Sequence, residues 1–230
     1  MTKTNTFLLS AGIVAFAFAS LLMLAGSAQA AASVGDDVKC ETFSAVYNIG
    51  EDGKRHPYPN EKIWSTHHAN FDHVKIVSCE TLSGISLGDS VKYDPGKRLI
   101  KAPSVPTVYA VAPGGVLRAL PDEATAIEVY GTDWAKRVDD ISEAFLSQYS
   151  LGDVHPSSQL LEGSVLVGGD GKLLRADASG FAVEVEDLLT EEERELMHRY
   201  ALDIEGVEER FERTIHKIPV SDRTDEQTLE

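Results

Sequence analysis

Basic residues are scarce in this chain of 230 residues. It holds 21 lysines and arginines against 37 aspartates and glutamates, which gives a formal net charge of −16. A chain with this excess of negative charge and no basic stripe repels phosphate backbones and anionic lipid headgroups. The composition therefore makes nucleic acid an unfavourable partner.

The sequence is also poor in the short motifs that mark common catalytic centres. It has no cysteine–histidine protease signature and no phosphate-binding Gly-Lys-Ser/Thr loop. The adjacent carboxylates Asp139 and Asp140 stand in an extended segment, where neighbouring side chains point to opposite faces, so they do not predict an acid–base pair. We therefore predict no catalytic residue and no organic cofactor.

Cysteine is almost absent, since Cys40 and Cys79 are the only two. In an oxidising compartment an isolated pair favours a disulfide over a reactive site. Closing a loop of this length stabilises the folded state by about 4 kcal/mol in the chain-entropy model. Two free thiols, or a metal site with two cysteines, are the alternatives.

The first thirty residues have the composition of an export signal. Lys3 is their only charge, residues 7–25 are almost wholly apolar, and Ala28-Gln29-Ala30 is typical of a cleavage site. We therefore expect export to the periplasm, the cell surface or the medium. The apolar run approaches the length of about 20 residues that spans a bilayer. An uncleaved anchor is the alternative, and it would be the only contact with a membrane.

An internal repeat organises the rest of the chain. Residues 38–63 align without a gap on residues 100–125, with six identities, and residues 74–91 align on residues 138–155. Self-similarity of this kind indicates repeated structural units. We predict two homologous units, residues 31–97 and 98–156.

The fold class that these units predict is α+β. Short alternating apolar segments joined by glycine turns indicate a three-stranded antiparallel meander in each unit, and Asn60, Ser78, Asp122 and Ser142 are suitable caps for two short helices. Residues 157–183 repeat only the strand, glycine turn and strand, which predicts a degenerate third hairpin. An acidic amphipathic helix over 184–218 and a disordered tail over 219–230 complete the prediction.

The C-terminal helix carries an apolar stripe with helical spacing. The predicted contact residues on this stripe are Leu196, Tyr200, Val207 and Phe211. We favour packing of the stripe against the third unit over a groove for a partner. If the face is exposed, it is the expected surface for a partner.

Histidines cluster in the first unit, and they are the main candidates for chemistry. The candidate metal ligands are His56, His67, His68, Asp72 and His73. Imidazole and carboxylate suit Zn or Cu. Because adjacent residues of a helix diverge by about 100°, only one of His67 and His68 can join His73 or Asp72. We favour a solvated polar helix end without metal, and metal binding is the alternative.

Residues 38–155 resemble a tandem repeat found in exported proteins of uncultured bacteria. The pattern VYxxGxDGKRxPxPNEK begins at Val46, and its counterpart VYAVxPGGxLRxxPxE begins at Val108. His67 and His68 stand where that repeat usually has an aromatic pair. The resemblance implies an envelope or surface protein and implies no activity.

Three functional hypotheses follow from these patterns. The first is an exported, non-catalytic binding or scaffolding module that holds another macromolecule of the cell envelope or surface. The second is a periplasmic or extracellular protein that binds Zn or Cu through the histidine cluster. An enzyme site assembled between the repeats is a third hypothesis.

Overall fold

The computed structural model of the protein describes residues 31–203. The predicted export signal, the tail over 219–230, and the predicted contact residues Val207 and Phe211 lie outside the described residues. Within them, twelve strands form three sheets, and five α-helices accompany the sheets. The predicted α+β class is confirmed.

The first sheet contains four strands in the order β3-β2-β1-β4. β1 pairs antiparallel with β2 and β2 with β3, as the predicted meander requires, whereas β4 pairs parallel with β1. This fourth strand is absent from the sequence prediction. The strands are β1 (Asp37–Cys40), β2 (Val46–Ile49), β3 (Arg55–Pro57) and β4 (Lys75–Val77).

Two short helices follow strands of this sheet, α1 (Glu61–His67) and α2 (Cys79–Gly84). The side chain of Asn60 accepts a hydrogen bond from the backbone N–H of Ile63 at 3.0 Å, and Ser78 caps α2 in the same way. These bonds satisfy donors that the first turn of a helix leaves free. The predicted caps are therefore the ones that begin the helices.

The second sheet repeats this pairing scheme. Its strand order is β8-β5-β6-β7-β9; β5, β6 and β7 form an antiparallel meander, and β8 pairs parallel with β5. Descent of the two units from one duplicated sequence stays a prediction. The elements are β5 (Leu99–Lys101), β6 (Tyr109–Ala112), β7 (Val116–Ala119), α3 (Glu123–Tyr130), β8 (Val138–Asp140), α4 (Glu143–Leu146) and β9 (Ser150–Leu151).

The predicted third hairpin is present and gains a further strand. β10 (Val165–Val167), β11 (Leu173–Ala176) and β12 (Ala182–Glu184) form an antiparallel sheet. Gly171 adopts a φ of 84° in the turn between β10 and β11, a conformation that glycine takes without the steric cost of a Cβ.

Up to residue 203, where the described residues end, the C-terminal helix covers less of the chain than the predicted span of 184–218. Glu184 still belongs to β12, and α5 covers Glu191–Tyr200, beginning at a capping box of Thr190 and Glu193. It ends there because Leu202 leaves the helical path: its N–H donates to Val165 O at 2.7 Å, and its carbonyl accepts from Val167 N at 3.2 Å.

The apolar stripe of α5 faces the protein interior. Leu196 and Tyr200 are each only 7 % exposed, and α5 packs against β10, β11 and α1. Neither side chain is available as an exposed partner contact. Leu196 and Tyr200 pack in the protein interior, as the interpretation favoured from the sequence predicts.

The first unit and the second are joined by a buried carboxylate. Asp139 on β8 accepts hydrogen bonds from Arg98 at 3.0 Å and from Lys62 of α1 at 2.9 Å. Burial raises the pKa of Asp139, but the bonds from Arg98 and Lys62 outweigh burial and hold the pKa below its ordinary value. Ile63 of α1 also lies in one apolar cluster with Ile100 and Leu117 of the second sheet. Helix α1 is therefore fixed from both units.

Replacing Asp139 by asparagine should lower the free energy of unfolding by about 2 kcal/mol, because the buried carboxylate loses its charge-assisted hydrogen bonds from Arg98 and Lys62. Asp140→Asn is the matched control, since that neighbouring carboxylate is exposed and its pairing with Lys101 contributes at most about 1 kcal/mol. Urea denaturation measures both variants. Equal losses in the two variants would contradict the role of Asp139.

His155 should make the free energy of unfolding fall as the pH drops below about 6.5, which is the ordinary pKa of histidine. Burial lowers the pKa of His155, whose Nδ1–H donates to Pro156 O at 2.7 Å while Nε2 accepts from the Tyr130 hydroxyl at 2.8 Å. The unfolded chain therefore binds the proton first, and each further pH unit costs up to about 1.4 kcal/mol until the folded state is protonated. Denaturation at several pH values gives the slope of the free energy of unfolding against pH, and this slope should be shallower for His155→Gln. An unchanged slope would show that His155 does not cause the pH dependence.

Candidate metal centre

Two of the five predicted ligands come together in the fold, and they meet a carboxylate that the sequence did not point to. Asp37, His68 and His73 each offer one ligand atom, and these three atoms lie within 4.8 Å of one another. His56, His67 and Asp72 lie outside this cluster. The cluster is named the Asp37–His68–His73 cluster below.

Three different elements supply its members. Asp37 is the first residue of β1, and His68 ends α1 as its C-cap, with its backbone N–H bonded to Trp64 O at 3.0 Å. His73 lies in the loop that leads into β4. Because β4 pairs parallel with β1, this loop ends beside the start of β1, where Asp37 stands. The parallel pairing therefore creates the cluster.

The spacing of the ligand atoms fits a single metal ion. Asp37 Oδ2 lies 3.0 Å from His68 Nε2 and 3.0 Å from His73 Nε2. Ligand atoms bound tetrahedrally at zinc–nitrogen and zinc–oxygen distances are separated by about 3.3 Å. The ligand atoms of His68 and His73 lie within 4.8 Å of each other, and a zinc ion between them would require about this tetrahedral separation.

The second oxygen of Asp37 is already engaged. Oδ1 accepts hydrogen bonds from Asn48 Nδ2 and from the Tyr58 hydroxyl, both at 3.1 Å. Asn48 stands directly opposite Asp37 in the register of β1 and β2. These donors orient the carboxylate as outer partners of metal ligands commonly do. Oδ2 is therefore the oxygen that Asp37 presents as a ligand.

Electrostatics favour a charged carboxylate beside a neutral phenol. Burial raises the pKa of Asp37, but hydrogen bonds from His68 and Asn48 outweigh it and hold the pKa below its ordinary value. Burial, together with the charge of Asp37, raises the pKa of Tyr58 well above its ordinary range. Asp37 is thus ionised and Tyr58 protonated at neutral pH, as a ligand and its hydrogen-bond donor should be.

Aromatic packing restrains the two imidazoles. The indole of Trp64 faces the His68 ring at a centroid distance of 4.3 Å and stacks nearly parallel to the His73 ring at 5.4 Å. Its ring also stacks on Phe71 at 4.6 Å, and Tyr58 meets it edge-on at 4.7 Å. Restricting both rings before binding lowers the entropic cost of coordination.

Helix α5 holds the loop between the two histidines. Arg199 Nη2 donates to Ala69 O at 3.1 Å, and the Ser65 hydroxyl lies 2.9 Å from the Tyr200 hydroxyl. These contacts join residues about 130 positions apart in the chain. The C-terminal helix therefore positions the candidate site, although it contributes no ligand among the residues described.

The remaining predicted ligands have other partners. His56 Nε2 lies 2.9 Å from Asp52 Oδ1 and its Nδ1 lies 2.8 Å from Asp89 O; the bond to Asp52 raises the pKa of His56. His67 turns away from His68, its Nε2 lies 2.8 Å from Lys92 O, and burial lowers its pKa. Asp72 is exposed and lies outside the cluster.

One serine has the spacing of a hydrolase nucleophile but not its context. Ser86 is the centre of the string Gly84-Ile85-Ser86-Leu87-Gly88, which fits G-x-S-x-G. That motif needs a turn from a strand into a helix, whereas Ser86 follows the end of α2 and its carbonyl accepts from Arg55 N at 2.9 Å. Both ring nitrogens of the adjacent His56 are occupied, so no serine–histidine pair forms there.

Sequence reasoning missed Asp37, Asn48 and Tyr58. The only signal near Asp37 is an acidic residue at the start of an apolar strand, and nothing in its spacing from His68 or His73 resembles a metal motif. Asn48 and Tyr58 are found only through the register of β1, β2 and β3. A pairing scheme for the sheet would have been needed to find them.

The chain matches no protein-family model, no curated protein and no solved structure. What the site can bind therefore follows from its own atoms. Two imidazole nitrogens and one carboxylate oxygen suit Zn²⁺ or Cu²⁺, whereas Ca²⁺ and Mg²⁺ prefer all-oxygen sites. Three protein ligands leave a coordination position free, and His73, the exposed member, places the cluster at the protein surface.

Loss of either donor to Asp37 Oδ1 should weaken metal binding about tenfold, the lower end of the range for outer partners of ligands. Asn48→Ala tests this directly, whereas Tyr58→Phe keeps the ring that packs against Trp64 but also removes a hydroxyl 3.0 Å from His68 Nε2. Tyr47→Phe is the control, since that ring lies under Arg55. Zinc titration by calorimetry gives the affinities; wild-type affinity in both donor variants would show that Oδ1 is not held for this purpose.

Proposed function

We propose that this protein is an exported protein that binds a divalent transition metal, Zn²⁺ or Cu²⁺, at the Asp37–His68–His73 cluster. The observation that carries the proposal is the position of Asp37 Oδ2, 3.0 Å from the Nε2 atoms of both histidines. With Oδ1 held by two donors, these three atoms are arranged as a ligand set before any metal arrives.

Export is supported by the covalent structure as well as by the predicted signal. Cys40 and Cys79 form a disulfide, and disulfides persist mainly in oxidising compartments outside the cytosol. Among residues 31–203, no helix has both the length and the apolar character needed to cross a membrane. The resemblance of residues 38–155 to repeats of exported proteins agrees with this placement.

The ligand atoms of the cluster suit both Zn²⁺ and Cu²⁺. Imidazole and carboxylate are ligands of intermediate hardness, and at such sites Cu²⁺ binds most tightly among the divalent first-row metals. Zinc binds the same donors with tetrahedral geometry and undergoes no redox change. Soft thiolate ligands are unavailable because both cysteines are tied in the disulfide.

The metal hypothesis is favoured over a scaffolding role for a specific reason. The scaffolding hypothesis requires an exposed apolar face on the C-terminal helix. The described residues of that face, Leu196 and Tyr200, are buried. The histidine cluster, in contrast, gains an ionised carboxylate and two orienting donors in the fold. These added features of the cluster support the proposal of a metal site.

Zinc should raise the melting temperature of the protein in a way that depends on His73. Free zinc at 100 times the dissociation constant stabilises the folded state by about 2.7 kcal/mol, which corresponds to roughly 5–10 °C for a chain of this size. His73→Ala removes one of three ligands and should abolish most of the shift. Differential scanning fluorimetry with buffered zinc, repeated with copper, measures it.

His56→Ala and Asp72→Ala serve as controls, because both residues were candidate ligands in the sequence and both lie outside the cluster. They should keep the full shift. An equal zinc shift in wild type and His73→Ala, or no shift in wild type at any concentration, would rule out the proposed site.

A further inference from the structure

We propose that the Cys40–Cys79 disulfide sets the metal affinity of the Asp37–His68–His73 cluster, so that reduction of the disulfide releases the metal. This inference rests on the proposed function. It arises from where the two features lie on one pair of strands.

The disulfide and the cluster hold opposite ends of the β1–β4 pair. The register joins Val38 to Lys75 and Cys40 to Val77. Asp37 and His73 precede the paired residues, with Asp37 Oδ2 3.0 Å from His73 Nε2, whereas Cys40 and Cys79 close the other end. One three-residue strand is thus fixed at its start by the cluster and at its end by a covalent bond.

Strand β4 has little else to hold it. Among the described strands, β1 is its only neighbour in the sheet. Lys75 and Ile76 are exposed and only Val77 is buried. The ion pair of Lys75 with Asp36 at 2.6 Å is also exposed on the lysine side, and such pairs contribute at most about 1 kcal/mol. Apart from the stacking of its ring on Trp64, the position of His73 therefore depends on two links at the ends of the strand pair, the contact with Asp37 and the disulfide.

The two links act through different faces of β1. Val38 and Cys40 belong to an apolar cluster with Val77 and Leu82, while Asp37 faces Asn48 and the histidines. Alternation along the strand puts Asp37 and Cys40 on opposite faces. The cysteines therefore cannot join the ligand set of the cluster even when they are reduced, and their effect on its geometry acts through the strand pair.

The second sheet shows that the fold needs neither link. In its equivalent pair, β5 and β8, the positions of Asp37 and His73 are taken by Leu99 and Arg137, and those of the cysteines by Ala102 and Glu143. The same strand pairing forms there without a histidine–carboxylate contact and without a disulfide. Both links occur together in the first unit, which is what a coupled function requires.

The chemical step is an ordinary thiol–disulfide exchange with a dithiol reductant. One thiolate of the reductant attacks Cys79 Sγ, the more accessible sulfur, and Cys40 leaves as a thiolate and takes a proton. The second thiol of the reductant resolves the mixed disulfide. The protein gains two electrons and two protons, the dithiol becomes a cyclic disulfide, and zinc keeps its oxidation state.

Coupling between two sites is reciprocal. If reduction weakens zinc binding tenfold, zinc must make the disulfide harder to reduce by the same factor. For a two-electron couple a factor of ten corresponds to about 30 mV. We expect at least a tenfold change in affinity, and hence a zinc-induced shift of about 30 mV or more toward negative potential.

The experiment measures the disulfide in the full-length protein. Its reduction potential is determined in dithiothreitol redox buffers, by alkylation and mass spectrometry, with free zinc fixed by a chelating buffer at zero and at saturation. Calorimetry gives the zinc affinity of the oxidised protein and of a Cys40→Ser, Cys79→Ser variant. His73→Ala should abolish the potential shift, and His56→Ala, inside the same disulfide loop, should keep it.

The outcomes separate the two proposals. A negative shift in wild type that is lost in His73→Ala, with the far-ultraviolet circular dichroism unchanged on reduction, supports the coupling. A shift that accompanies unfolding on reduction overturns coupling through the strand pair. Zinc binding with an unchanged potential, and with equal affinity in the cysteine variant, overturns the coupling and leaves the metal site standing. Failure of the oxidised protein to bind zinc overturns the proposed function and the coupling with it.

Discussion

The parallel pairing of β1 with β4 is the constraint on which the candidate site depends. Antiparallel neighbours can be joined by a tight turn, but parallel neighbours need a long crossover connection. Here the crossover runs from Cys40 to Lys75 and contains β2, β3 and α1. Tyr58, His68 and His73 all lie on it. Closing the crossover brings its last residues back to Asp37 and, two residues past the end of β4, joins Cys79 to Cys40.

The first unit does not hold this arrangement alone. A unit of about sixty residues buries only about 60 % of its unfolded surface, and α1 accordingly shares its core with the second sheet through Ile63. Lys62 reaches Asp139, and Arg199 of α5 bonds to the backbone beside His68. The geometry of the ligands thus depends on contacts made across three units of the chain, which is why it is fixed although the ligand loop is at the surface.

The parts of the fold that the sequence predicts correctly are those with local causes. Asn60 and Asp122 begin helices because their side chains bond to N–H groups three residues on. The hairpin of β10 and β11 follows from a glycine turn between apolar strands. Strand β4 has no such signal, because its one buried residue, Val77, is defined by a partner nearly forty residues away. Asp37 was missed for the same reason.

Asp37 departs from the pattern that would best stabilise its sheet. Its counterpart in the second sheet, Leu99, is almost fully buried in an apolar cluster with Ala110 and Val129. A buried carboxylate is costly unless it is paired and hydrogen-bonded, and a leucine at this position serves the same strand scheme without that cost. Asp37 is instead surrounded by four polar partners, Asn48, Tyr58, His68 and His73. Local rules of stability are most often broken where a protein has a function to perform. A carboxylate facing two imidazoles, where the second sheet has a core leucine, is therefore the reason that we propose a functional site at this end of β1.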